Sequence, residues 1–183
     1  KKLNYTDINL TGGEPTLHPE LQKIIRYGVK QGFSVRMTSN GVRLADPKLM
    51  KSIVDAGLSR ILFSIHHYDP HEAMIICGVD EPDLKETIKG LNNANNLGID
   101  ININITIIKQ NYKALPNIIS MLIPRFKNIH HFNFNFVDIT GNVMRKGTKF
   151  TAKDIAPKYS DAEKYLVSAF KMLKKNKVLF RFE

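Results

Sequence analysis

Five stretches of this chain alternate apolar and polar residues with a period of two, and a short sixth closes the sequence. The alternation predicts strands at 6–11, 33–39, 60–66, 99–108 and 131–137, with 178–182 at the end. Between them apolar residues recur at three- and four-residue spacing, which predicts helices. One carries Leu21, Ile24, Ile25 and Val29, a second Leu49, Met50, Ile53 and Val54, and a third Leu84, Ile88 and Leu91. A fourth covers 113–122 ahead of Pro124, and the last presents Ala162, Tyr165, Leu166, Ala169, Phe170 and Leu173 on one face. The segment from Asp69 to Glu81 shows neither period and reads as a long connection.

Repeated strand–helix units of this length predict an α/β protein with a parallel sheet and right-handed crossovers. Strands covered by helices on both faces should be apolar almost throughout. These are not. Ile101, Ile103, Ile105 and Ile107 oppose Asn102, Asn104 and Thr106, and Phe132, Phe134 and Phe136 oppose His131, Asn133 and Asn135. Each strand therefore has one apolar side for helices and one polar side that must meet something else. A partial (β/α) TIM-like barrel satisfies this, with a curved sheet, outer helices and a polar lumen holding water or a ligand.

Composition adds few constraints. A chain of 183 residues can bury a sizeable core as one domain. We read 1–144 as the partial barrel and 145–183 as a basic helix and short strand extending it. The net charge of +10 is concentrated in 145–183, which hold eleven Lys and Arg against four Asp and Glu. Those lysines carry no nucleic-acid motif and read as a solvated face, so neither a nucleic-acid nor a membrane partner is expected. No run is long and apolar enough for a bilayer, and a single cysteine, Cys77, fits a reducing, cytoplasmic setting. The opening Lys1-Lys2-Leu3 leads almost at once into a strand, as in a fragment of something longer.

Candidate chemistry gathers at the strand ends, where β/α barrels hold their ligands. The first ends in Thr11-Gly12-Gly13-Glu14-Pro15, the second in Thr38-Ser39-Asn40-Gly41, and the third in Ser64-Ile65-His66. The fourth carries Asn104-Ile105-Thr106, and the fifth Phe136-Val137-Asp138. Two glycines let backbone N–H groups approach a ligand closely, and a glutamate beside them supplies an acceptor. That combination suits a ligand with both a carboxylate and an amine, such as an amino acid.

These stretches, with Phe63-Ser64-Ile65-His66 and Asn104-Ile105-Thr106-Ile107-Ile108-Lys109-Gln110-Asn111, resemble the radical S-adenosylmethionine (SAM) superfamily from Asp7 to about Gly141. The resemblance implies that Gly12, Gly13 and Glu14 bind the methionine amine of SAM. It places Ser64 and His66 at the ribose or the methionine carboxylate, and Asn104 near the ribose. Backbone around Val137 would lie near the adenine, and Asn40 would border the pocket. It further implies an enzyme that cleaves SAM to a 5′-deoxyadenosyl radical, with an electron donor protein and an unknown peptide or small-molecule substrate, for peptide or cofactor maturation.

One defining piece of that family is missing. Its [4Fe–4S] cluster is held by a three-cysteine loop, and this chain has one cysteine. The loop would precede Lys1, so the complete protein would carry the cluster and this chain alone would be inert. The histidines do not substitute, because adjacent strand residues such as His66 and His67 point to opposite faces. Two rival readings are a cluster-free β/α module that binds a small metabolite or a partner, and a basic RNA-binding domain built on 145–183.

Overall fold

The computed structural model describes residues 5–77, 81–138 and 151–182; Gly141 and the stretch 145–150 lie outside them. Six strands form one sheet: β1 (Asp7–Leu10), β2 (Ser34–Ser39), β3 (Leu58–Ser64), β4 (Asp100–Ile107), β5 (Ile129–Phe136) and β6 (Leu179–Phe182). They stand in the order of the chain and run parallel. The helices are α1 (Leu21–Lys30), α2 (Pro47–Asp55), α3 (Pro70–Cys77), α4 (Glu81–Asn96), α5 (Leu115–Leu122), α6 (Ala152–Ile155) and α7 (Tyr159–Lys175). Strands laid down in sequence order put successive right-handed crossovers on one face, which is the winding of a β/α barrel. Among the described residues the pairing runs from β1 to β6 and does not return, so the barrel is partial.

Register follows from side-chain alternation. Along β4, Ile101, Ile103, Ile105 and Ile107 are fully buried, while Asn102, Asn104 and Thr106 are half-buried. In β2 the buried positions are Val35, Met37 and Ser39; in β5 they include Phe132 and Phe134. The polar side pairs with itself across strands. Asn9 Nδ2 donates to Thr38 Oγ1 (3.3 Å), Arg36 lies 3.4 Å from Asp7, and Arg60 Nη2 donates to Asp100 Oδ2 at 3.1 Å. Arg36 Nε, Arg60 Nε and Asn102 Oδ1 are buried without a partner among the described residues.

Packing divides the chain into two compact units. The first comprises Lys1–Ser64, Pro82–Ile103 and Phe126–His130; the second comprises Ile65–Glu81, Asn104–Arg125 and His131–Glu183. The first is centred on Ile25, Met37, Leu44, Met50, Ile53, Ile61, Phe63 and Leu91. The second is built on Ile105, Leu115, Ile118, Phe132, Phe134 and the α7 stripe Ala162, Leu166, Ala169 and Leu173.

The segment after β3 departs from expectation. It contains α3 rather than an irregular connection. Met74, Ile75 and Ile76 are consecutive and form no stripe, so periodicity is silent there. The start signal is nevertheless present. Asp69 Oδ1 accepts the N–H groups of His71 (2.9 Å) and Glu72 (3.1 Å), and Pro70 takes the first helical position. Among the described residues no helix is long and apolar enough to cross a membrane.

Candidate functional site

In the first unit the site is built around Glu14. The chain leaves β1 through Gly12, whose φ of +137° is a conformation that favours glycine. A Cβ placed on either Gly12 or Gly13 would meet no atom within 4 Å, so the backbone there is open to an approaching ligand. Glu14 caps the short 3-10 turn Pro15–Leu17. Its Oε1 accepts from Thr16 N–H (3.1 Å), Thr16 Oγ1 (2.7 Å) and Ser39 Oγ (2.9 Å). Its Oε2 accepts from the backbone N–H of Asn40 at 2.8 Å. The carboxylate thus ties the exit of β1 to the exit of β2, and Oε2 keeps acceptor capacity for one more donor.

Helix α4 fixes the other side of this loop. Thr87, Gly90 and Asn93 recur every three residues and so share a helix face. Thr87 Oγ1 donates to the carbonyl of Asn40 (2.8 Å), and Asn93 Nδ2 to the carbonyls of Leu44 and Ala45 (2.9 Å each). Asn40 itself is exposed, and its Oδ1 accepts the N–H of Val42 at 3.0 Å. Ser64, at the end of β3, is half-buried.

In the second unit the groups stand at the exits of β4 and β5 and just beyond β3. His66 Nδ1 accepts the N–H of Thr106 at 3.2 Å. Asn104 Oδ1 accepts from Asn135 Nδ2 at 2.9 Å, which leaves the amide of Asn104 as a donor on the polar side. Val137 donates its N–H to the carbonyl of Ile107 (3.1 Å). His67 is buried where His66 is only half-buried, as their opposite faces require. An open groove of about 690 Å³ lies along Tyr112, Lys113 and the start of α7, and none of the candidate site residues lines it.

Gly12, Gly13, Glu14, Asn40 and Ser64 therefore fall in the first unit, and His66, Asn104 and Val137 in the second. Sequence reasoning missed three participants. Ser39 had a signal, because alternation places it on the apolar side of β2, where an unpaired hydroxyl would be costly. Thr87 had none, since its partner Asn40 is distant in sequence; Asn111, bonded to nearby Thr106 and Ile108 as well as to distant His66, showed only as a polar residue in a loop.

Burial lowers the pKa of His66 from the ordinary 6.5 by disfavouring imidazolium. The unfolded chain then takes up the proton first as pH falls below 6.5, so stability is complete above that value. It declines below it until the folded-state pKa is passed. Thermal melts between about pH 7.5 and about 5 should show this decline, and His66→Gln should flatten it. An equally steep decline in the variant would assign it to another group.

The family model of the radical SAM superfamily matches residues 1–122. The chain belongs to the radical SAM superfamily. The superfamily brings SAM and a [4Fe–4S] cluster as its cofactors. A probable GTP 3',8-cyclase of Pyrobaculum aerophilum is 34% identical over 109 residues, 60% of this chain and 34% of that protein. The chain thus spans about a third of the length of the curated relatives it matches. A domain of pyruvate-formate lyase-activating enzyme from Bacteroides vulgatus superposes with a TM-score of 0.71 at 16% identity, covering 96% of this chain and 98% of that one. Streptococcus suis SuiB bound to S-adenosylmethionine gives 0.72 at 18%, covering 97% and 39%. At such identities the likeness is one of fold.

The two radical SAM cofactors fit this chain differently. Within the first unit, the open Gly12–Gly13 backbone and the spare acceptor on Glu14 are chemically suited to an amine such as that of SAM; within the second, Asn104 keeps an amide donor. The cluster needs several thiolates, and the chain has one cysteine. Among the described residues no group of three or more His, Cys, Asp or Glu is placed to hold a metal ion.

Proposed function

We propose that the protein carrying this chain is a radical SAM enzyme of cofactor maturation, and that this chain supplies part of its SAM site. The carrying observation is the open Gly12–Gly13 backbone beside a carboxylate that the fold holds rigidly at a strand exit. When bound and given one electron that originates from a donor protein, SAM would supply a 5′-deoxyadenosyl radical for hydrogen abstraction, with methionine as the other fragment of the broken C–S bond. The chain's own residues bind and orient. Glu14 Oε2 and the backbone at Gly12 and Gly13 face the methionine amine, with Asn40 bordering them. Ser64 and His66 offer donors to the carboxylate or ribose, Asn104 to the ribose, and the backbone at Val137 meets the adenine.

The GTP cyclase relative favours a small-molecule substrate over a peptide, because the likeness to SuiB is one of fold. Sparse cysteine and one-electron chemistry together suit a reducing cytoplasm. The test is to express the extended gene anaerobically, reconstitute iron and sulfide, add reductant and SAM, and measure 5′-deoxyadenosine with and without GTP. Product should form with the extended protein and be absent with residues 1–183 alone. A well-loaded cluster that yields no 5′-deoxyadenosine would overturn the reading.

A further inference from the structure

Asn111 is fully buried, yet it lies in the loop after β4 and not in the apolar core. Its Nδ2 donates to the carbonyls of His66 (2.9 Å) and Thr106 (2.7 Å), and its Oδ1 accepts the N–H of Ile108 at 2.9 Å. These bonds fall where the β3–β4 ladder runs out. The last backbone rung takes Ile65 N–H to the carbonyl of Asn104 (3.1 Å). The next donor along β4, the N–H of Thr106, finds the His66 ring instead of a carbonyl of the neighbouring strand, at 3.2 Å. Two side chains therefore replace two backbone rungs.

This substitution determines where the His66 proton sits. A ring nitrogen that accepts an N–H bond carries no proton, so neutral His66 must carry its proton on Nε2. No described residue accepts from that Nε2–H. We propose that Asn111 is a positioning residue: by clamping the His66 and Thr106 carbonyls it holds His66 as the Nε2–H tautomer, with one donor aimed at a carboxylate or hydroxyl oxygen of the bound ligand. The proposal deepens the SAM-site reading and rests on it for the ligand. Burial supports the same state by disfavouring the doubly protonated ring.

The test uses the full-length, cluster-loaded protein with ¹⁵N-labelled histidine. In the wild type His66 should show a protonated Nε2 and an unprotonated Nδ1. In Asn111→Ala it should shift toward a mixture of tautomers. A protonated Nδ1 in the wild type, or an unchanged tautomer in the variant, overturns the proposal. Should Asn111→Ala fail to fold, Asn111→Ser takes its place, and a protonated Nδ1 in the wild type still overturns the proposal. Affinity for S-adenosylhomocysteine, measured by calorimetry, gives a second readout. Asn111→Ala should weaken it about tenfold, which is about 1.4 kcal/mol. The same change in a His66→Ala background should weaken it no further, because the two residues act as one unit. Equal weakening in both backgrounds would mean that Asn111 acts without His66. If the wild type binds no S-adenosylhomocysteine while the tautomer behaves as described, the SAM-site reading fails and the positioning role stands.

Discussion

Replacing Glu14 with alanine is expected to lower the stability of this chain by about 3 kcal/mol, the cost of stranding buried donors that now share a charged acceptor. Four donors lose their partner, and two of the residues that supply them, Thr16 and Ser39, are buried. Asn40 is exposed, so water takes over its N–H and that bond counts for less. For a domain of this size the loss corresponds to a melting temperature lowered by roughly 6–12 °C. Glu14→Gln separates the two oxygens. Its carbonyl can still serve Thr16 and Ser39, but its amide would face the Asn40 N–H donor to donor. About half the loss is expected, together with faster hydrogen exchange confined to the Asn40 amide. A Gln variant that melts like the wild type would show that the link from Glu14 to the β2 exit carries no weight.

The second large effect runs against helix propensity. Alanine in place of a mid-helix glycine ordinarily stabilises by about 1 kcal/mol. At Gly90 in α4 the added Cβ would stand 2.4 Å from the carbonyl oxygen of Gly41 and 3.0 Å from Leu44 Cβ. The nearer atom is backbone and cannot rotate aside. Gly41 has a φ of +80°, and its N–H is held by Ser39 Oγ at 3.0 Å. The helix must therefore withdraw, which breaks the bonds from Thr87 and Asn93 to the loop. A net destabilisation of about 3 kcal/mol is expected, at the upper end for overpacking. Denaturant unfolding measures it. An unchanged or raised midpoint would mean that α4 can slide without cost.

The alternation that predicted the strands survives in detail because each strand meets two different environments, and β4 shows it at every position. Boundaries moved by one or two residues. Leu58 and Ile129 are buried and open β3 and β5 earlier than their polar neighbours Ser59 and His130 suggest. Helix α3 escaped because an all-apolar run has no face to detect, although Asp69-Pro70 was a usable start signal. The site was legible as a set of strand ends, since turn chemistry is local. What Glu14 does with its oxygens was not, because Ser39 and Asn40 stand 25 and 26 residues away. Asn111 was hidden by its burial, which only the folded chain creates, because its bonds to Thr106 and Ile108 are local and only the one to His66 is distant. A polar loop residue looks solvated until the chain around it is folded.

The isoleucine row of β4 separates two tasks that compete in most strands. A slip of one residue would turn four isoleucines outward and carry Asn102, Asn104 and Thr106 into the core, so the row alone fixes alignment. The polar positions between them are thereby released from specifying the fold. Variation at 102, 104 and 106 can reshape what the strand presents while its placement stays constant. A scaffold arranged in this way can change its chemistry by small steps without first having to relearn how to fold.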